Sequence, residues 1–136
     1  MMTFLNIALL LIGLQTDPSI QKIEDQEIIK LLHSIENKPY YQTDEISLSI
    51  FKKQNPSGSA GFDGGHEISH SYYFAISGFD EYPVQTLFLI GDFYNPDLKV
   101  EEKENLIEVQ IEFGAFDNRQ MNSYKVELHQ VTLLQE

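Results

Sequence analysis

The chain contains no cysteine, no tryptophan and few cationic residues, and each of these absences excludes a class of structure or function. Without cysteine there is no disulfide framework, no thiolate nucleophile and no cysteine-ligated zinc, so any zinc would need histidine and carboxylate ligands. Nine basic residues stand against 21 acidic ones, which gives a formal net charge of −12 at pH 7. Such a charge repels nucleic-acid backbones and anionic membranes, and we therefore expect no nucleic-acid partner.

The length and the aromatic content of the chain fit one soluble domain. The 136 residues are enough to bury a hydrophobic core without help from metal or disulfides. Seven tyrosines and nine phenylalanines favour β-structure and an aromatic interior. No apolar run approaches the roughly 20 residues of a transmembrane helix, so the sequence predicts no membrane span.

The N-terminal segment, residues 1–15, is the most apolar stretch of the chain. Its run from Phe4 to Leu14 has the length of a signal-peptide core, and a turn-like stretch from Thr16 to Ser19 follows at the expected boundary. Met1 to Thr3 carry no Lys or Arg, which a signal peptide would favour. We expect a signal peptide and export to the periplasm or the extracellular space. Two alternatives stay open: residues 1–15 form the first element of the folded domain, or the protein is cytoplasmic.

Residues 18–37 are predicted to form an amphipathic helix, with Asp17 or Ser19 as its N-cap and Pro39 beyond its end. Apolar residues recur there at mostly helical spacing, and the other face is polar, so the helix should lie on a core. His33, near its C-terminal end, is expected at the solvated surface. The apolar residues of this pattern are Ile20, Ile23, Ile28, Leu31, Leu32 and Ile35.

After Pro39 the apolar pattern changes to alternation, which is typical of strands with one buried face. Short, turn-rich connections between the strands indicate antiparallel neighbours. Two segments, Tyr72 to Ile76 and Leu87 to Ile90, are continuous apolar runs, as expected of strands covered on both faces. The five predicted strands are residues 45–51, 68–77, 84–93, 106–116 and 123–134.

The predicted fold class is therefore α+β: one N-terminal amphipathic helix packed on a curved five-stranded antiparallel β-meander, in a single domain of residues 16–136. The helix would cover one face of the sheet. The second face needs sheet curvature, a partner such as a second copy in a homodimer, or the N-terminal apolar segment. The outline resembles cystatin-type and cone-shaped α+β folds, a likeness that implies no function by itself.

Residues His66 to His70 spell H-E-x-x-H, which resembles the zinc-binding signature of the zincin metallopeptidases. On a helix, His66 and His70 would both reach one zinc, and Glu67 would act as general base for the metal-bound water. On a strand the two histidines are about 13 Å apart, too far for two Zn–N bonds of about 2 Å. The resemblance covers only these five residues, and no predicted helix supplies a third ligand.

The surrounding residues favour the strand. Gly64 and Gly65 precede the motif, Tyr72 and Tyr73 follow it, and strong helix formers are scarce between them. The motif then lies where a glycine- and serine-rich loop, residues 55–65, enters a strand. Long loops of this kind commonly carry function.

The leading hypothesis is a non-enzymatic, exported binding or interaction module without a cofactor, whose ligand is an unknown protein or small molecule. The alternative is a small zinc-dependent metallopeptidase that uses His66, Glu67 and His70. Tyrosine and phenylalanine near loops and strand ends commonly serve recognition. The candidate ligand contacts of that kind are Phe62, Tyr72, Tyr82 and Tyr94.

Overall fold

A computed structural model describes residues 18–56 and 68–134, which form one helix and two antiparallel sheets. The five-stranded sheet consists, in spatial order, of β1 (Ser19–Ile23), β5 (Gln85–Tyr94), β4 (Ser69–Ser77), β3 (Ser47–Gln54) and β2 (Tyr40–Gln42). The four-stranded sheet consists of β6 (Asp97–Glu102), β7 (Ile107–Ala115), β8 (Asn118–Glu127) and β9 (Gln130–Leu134). The helix α1 (Gln26–Ser34) connects β1 to β2. The protein is thus mostly β, with antiparallel sheets and a helix.

The two sheets share one hydrophobic core, to which both contribute alternate residues of their strands. Phe74 of β4 and Tyr124 of β8 are fully buried, and their rings meet edge to face with centroids 6.5 Å apart. Phe93 of β5 contacts Tyr124 in the same geometry at 6.4 Å. The aromatic residues predicted for the interior therefore join the two sheets to each other.

The prediction of a single five-stranded meander is wrong, because the strands divide between two sheets. Residues 97–102, predicted as part of a turn-rich connection, form β6 and pair with β7. Only Leu98 and Val100 of β6 pack on the core, so its apolar pattern is too sparse to identify the strand. The predicted strand 123–134 is a hairpin, β8 and β9, which turns at Leu128 and His129.

The helix predicted over residues 18–37 is also wrong in its first part. Ser19–Ile23 is a strand, in which Ile20 pairs with Ile90 of β5. The spacing of Ile20, Ile23 and Ile28 suits a helix. The pairing of residues 19–23 with β5 outweighs that local preference. The helix begins after Asp25, whose Oδ1 accepts hydrogen bonds from the backbone N–H groups of Glu27 (2.9 Å) and Ile28 (3.2 Å).

The helix ends at Ser34, and the side chain of Lys38 closes its C-terminus. Lys38 Nζ donates to the main-chain oxygens of Leu32 (3.3 Å) and His33 (2.7 Å). Burial lowers the pKa of Lys38 from its ordinary value. The position of this ammonium group on the last carbonyls of α1 places a positive charge where the backbone dipole favours one.

The helix packs on the outer face of the five-stranded sheet, where Ile29 is buried with Ala75 of β4 and Leu87 of β5. The opposite faces of β4 and β5 face the four-stranded sheet. The prediction that these strands are covered on both faces is confirmed, and the second cover is another sheet of the same chain. No helix within residues 18–56 and 68–134 has the length and apolar character needed to cross a membrane.

Candidate functional site

A polar cluster lies on the five-stranded sheet where the glycine-rich segment leaves β3. The amide nitrogen of Asn55 donates to Ser69 Oγ (3.2 Å), Ser71 Oγ (2.9 Å) and Asp92 Oδ1 (2.6 Å). Ser71 Oγ donates back to Asn55 Oδ1 at 3.1 Å, and the backbone N–H of Asn55 donates to Ser69 O at 3.0 Å. Asn55 therefore holds the ends of β3, β4 and β5 together.

An irregularity in the β4–β5 pairing positions this cluster. The register shifts between His70 and Tyr72, which brings Gly91 against Ser71 and directs Asp92 toward the Asn55 amide. A Cβ atom on Gly91 would lie only 2.3 Å from Ser71 Oγ and 3.0 Å from Ser71 Cα. Glycine is therefore required at residue 91 by the close approach of the neighbouring strand.

The cluster contains two hydroxyls, of Ser69 and Ser71, and the carboxylate of Asp92, which accepts from the Asn55 amide. The hydroxyl of Ser71 donates to an amide oxygen, which is not a base, so the geometry gives no activated nucleophile. His70 is the neighbouring residue of β4, and alternation along a strand directs its side chain to the opposite face of the sheet. Its Nδ1 is buried and has no hydrogen-bond partner among the residues that the structure describes.

The strand predicted over residues 68–77 is confirmed for Ser69–Ser77. His70 pairs with Gln54 on one side and with Phe93 on the other. Ser69 and His70 belong to a strand, so the helical turn that would place His70 on the metal of a zincin is not formed at these two residues. His66 and Glu67 lie outside the described residues. Within 18–56 and 68–134, no group of three or more metal-ligating side chains is placed to hold an ion.

The three aromatic candidates that the structure describes, Tyr72, Tyr82 and Tyr94, do not lie in one site. Tyr72 is buried in the core, 6.1 Å from the ring of Phe93. Burial and, second, the charge of Asp97 raise the pKa of Tyr72 to about 12. Tyr94 is half-buried at the end of β5. Tyr82 lies beyond the opposite end of β4, and Phe62 lies outside the described residues.

Tyr82 belongs to the connection between β4 and β5, residues 78–84, which we call the β4–β5 loop. A hydrogen bond of 3.1 Å from Gly78 N to Val84 O closes the loop. Three of its apolar side chains face solvent: Phe79 is 53% exposed, Tyr82 88% and Val84 45%. These exposed apolar residues all belong to one short loop, and exposed apolar side chains grouped in this way mark interaction surfaces more often than isolated ones do.

A cleft of about 420 Å³ adjoins this loop. It opens between β1, the first turn of α1, the start of β5 and the β8–β9 turn, and its volume lies in the range of ligand pockets. Both apolar and polar side chains line it. The lining residues are Lys22, Ile23, Glu24, Gln26, Ile29, Val84, Gln85, Thr86 and His129.

Sequence reasoning identified Tyr82 but missed the cleft. The cleft is built from segments up to 107 residues apart, Lys22 to His129, and the sequence predicts a helix at the β1 residues among them. The predicted strand 123–134 runs through the β8–β9 turn. The cleft depends on the pairing of β1 with β5, which the sequence alone does not indicate.

His33 lies near the cleft rather than at the solvated surface. It is half-buried, and its Nε2 has no hydrogen-bond partner within the described part of the chain. Burial and, second, the charge of Lys38 lower the pKa of His33, while the backbone of Thr86 acts weakly in the other direction. The prediction of a solvated histidine is therefore wrong, because α1 turns this residue toward β5.

Comparison of the chain with protein-family models, with curated proteins and with solved structures gives no match. The fold alone does not imply a function, since one architecture serves many unrelated activities. The function must be argued from the surfaces described above.

Proposed function

We propose that the protein is a non-enzymatic binding module that recognises a protein partner through the β4–β5 loop and the adjoining cleft. The observation that carries this proposal is the exposure of Phe79, Tyr82 and Val84 beside the cleft. Aromatic anchors next to a pocket are typical of the energetic centre of protein interfaces.

The charges around the loop define the partner's chemistry. Asp80 and Glu81 are exposed within the loop, while Glu24 and Lys22 both line the cleft and offset each other in charge, so the acidic charge lies on the loop. The chain as a whole carries a net charge of −12. The partner should therefore present an apolar side chain that enters the cleft and Lys or Arg residues around it, because opposite charges steer association and same-sign surfaces repel.

The test begins by finding the partner at this surface. A photoreactive amino acid at Asp80 is crosslinked in native extract, and the trapped partner is identified, purified and titrated against the wild type by calorimetry. Tyr82→Ala and Phe79→Ala should each weaken binding about tenfold or more, as truncation of an interface anchor does. Binding should also weaken as salt rises.

Phe116 supplies the matched control. It is 96% exposed at the tip of the β7–β8 hairpin, so Phe116→Ala removes an exposed aromatic residue from another surface. This variant should bind like the wild type. If Tyr82→Ala and Phe79→Ala keep full affinity for the purified partner, the β4–β5 loop is not its binding surface and the proposal is wrong.

A further inference from the structure

The outer edge of β9 has no protection against pairing with another strand. Edge strands of native proteins are usually guarded by charged side chains, by proline or by short length. β1 follows Pro18 and contains Lys22, β2 has only three residues, and β6 is charged at most of its positions. β9 contains neither a charged residue nor a proline. Among the edge strands that the structure describes, β9 is therefore the one without a guard.

The main chain of β9 leaves hydrogen-bonding groups free along this edge. Gln130 pairs directly with Glu127 across the two-residue turn, so these two residues exchange both of their hydrogen bonds. Because hydrogen-bonded and non-hydrogen-bonded pairs alternate along an antiparallel ladder, Thr132 also bonds to β8, whereas Val131 and Leu133 direct their N–H and C=O groups away from it. No strand within residues 18–56 and 68–134 pairs with that side.

These free groups make the edge complementary to itself. Val131 and Leu133 lie at equal distances on either side of Thr132, the central residue of β9. In an antiparallel pair centred on Thr132, Val131 of one copy faces Leu133 of the partner subunit, and each such pair exchanges two hydrogen bonds. The free groups of both residues are then used in both chains, which a pairing shifted by one or two residues does not achieve. Such a contact is two-fold, with the same patch used by both copies.

We propose that β9 of one copy pairs with β9 of a second copy, antiparallel and with the two-fold axis at Thr132, so that the two four-stranded sheets become one continuous sheet. Thr132 then lies opposite Thr132 of the partner subunit, and cross-strand pairs of β-branched residues are favourable. Gln130 lies opposite Leu134 of the partner subunit and covers this side chain, which is 37% exposed. The contact is small compared with standard interfaces, so the dimer is reversible.

The charges around β9 allow two copies to meet at this edge. With a net charge of −12 per chain, two copies repel each other over most of their surface. On the sheet face that carries Thr132, the neighbouring strand β8 presents Lys125 and Glu127, which form an ion pair of 3.6 Å and offset each other. The edge therefore offers a charged foreign segment no opposite charge, whereas it matches its own sequence without bringing like charges together.

Disulfide trapping tests the pairing without background, because the 136-residue chain contains no cysteine. The Cα atoms of a non-hydrogen-bonded antiparallel pair are about 4.5 Å apart, a distance that a disulfide spans. Thr132→Cys in the full chain should therefore form a covalent dimer under mild oxidation. Lys99→Cys, on the edge strand β6, is the control for random collision, since Lys99 is more exposed than Thr132. A yield for Thr132→Cys several times that of the control supports the pairing, and an equal or lower yield overturns it.

The register is tested by mixing Gln130→Cys chains with Leu134→Cys chains. In the proposed pairing these two positions face each other, whereas residue 130 of one copy and residue 130 of the other are about 13 Å apart along the strands. The mixture should form the mixed disulfide, and each variant alone should form little. Efficient self-crosslinking of Gln130→Cys alone would overturn the register centred on Thr132.

Sedimentation provides a second measurement that needs no oxidation. The wild type should show a concentration-dependent dimer, and Thr132→Lys should remain a monomer with an unchanged circular dichroism spectrum, because it places two like charges at the axis. Gln21→Lys, at an exposed position of the edge strand β1, makes the same change in net charge and should dimerise at least as well as the wild type. A wild type that is monomeric at every concentration, or a Thr132→Lys variant that dimerises like the wild type, overturns the proposal.

Discussion

Thr86 Oγ1 donates a hydrogen bond of 3.0 Å to the main-chain oxygen of Leu128, and this contact joins the start of β5 to the β8–β9 turn of the other sheet. Thr86 and His129, the residue after Leu128, both line the cleft, so the bond lies at its edge. The bond connects residues 42 positions apart and is partly buried. It therefore helps to hold the start of β5 and the β8–β9 turn together beside the cleft.

Replacement of Thr86 by valine should test this contact, since valine keeps the shape of the side chain but cannot donate. We expect the free energy of unfolding to fall by about 1–2 kcal/mol, because the Leu128 carbonyl loses a partner. Urea denaturation measures the effect. Thr132→Val, on the outer face of β9, is the control and should change stability little; equal losses in both variants would contradict the assigned role of Thr86.

The stability of the protein should depend on pH through His33. Its pKa is lowered in the folded state, so below the ordinary value of 6.5 the unfolded chain binds a proton more readily. The stabilising contribution is complete above 6.5 and is lost as the pH falls through the lowered pKa. Tm measured between pH 7.5 and 5 should fall less in His33→Gln than in the wild type. His129→Gln, at an exposed position, should follow the wild type.

Gly91→Ala should destabilise the fold by about 1–3 kcal/mol, as overpacking does, because the new methyl group would meet Ser71. Ser71→Gly in the same chain removes two of the three nearest atoms and should restore part of the loss. Ser69→Gly, which removes another hydroxyl bonded to Asn55, should not restore it. Thermal unfolding of the two double variants distinguishes relief of the clash from a general loosening of the polar cluster.

Arg119 should be intolerant of replacement by lysine. Its guanidinium donates to Asn95 O, Gly114 O, Glu112 O, and the carboxylates of Asp97 and Glu112, at 2.7–3.2 Å. Lysine has no planar fork and cannot replace these bonds together, so Arg119→Lys should cost about 1–3 kcal/mol. Chemical denaturation compares it with Lys125→Met, which removes only a 3.6 Å surface pair and should be nearly neutral.

The metallopeptidase alternative makes a separate prediction about metal content. Because Ser69 and His70 lie in β4, we expect His70→Ala to leave the zinc content of protein purified without chelator unchanged and substoichiometric. Glu67→Ala should behave in the same way. Stoichiometric zinc that disappears in His70→Ala and persists in Glu67→Ala would contradict the strand geometry and support a metal site.

The sequence by itself determined the antiparallel β-character of the chain. Strict alternation in β7, with Ile107, Val109 and Ile111 buried and Glu108 and Glu112 on the other face, identifies a strand with one side in the core. The continuous apolar runs of β4 and β5 similarly indicated strands covered on both faces. These features follow from periodicity, which is a local property of the residues.

Only the tertiary structure decided how these strands are grouped and where the candidate surfaces lie. Ser19–Ile23 has a spacing compatible with a helix, and it becomes β1 because the edge of β5 offers it hydrogen bonds. The cleft exists because that choice brings Lys22 and Ile23 next to Val84, Thr86 and His129. Long-range pairing outweighs local preference at these positions, and a single sequence does not contain the pairing.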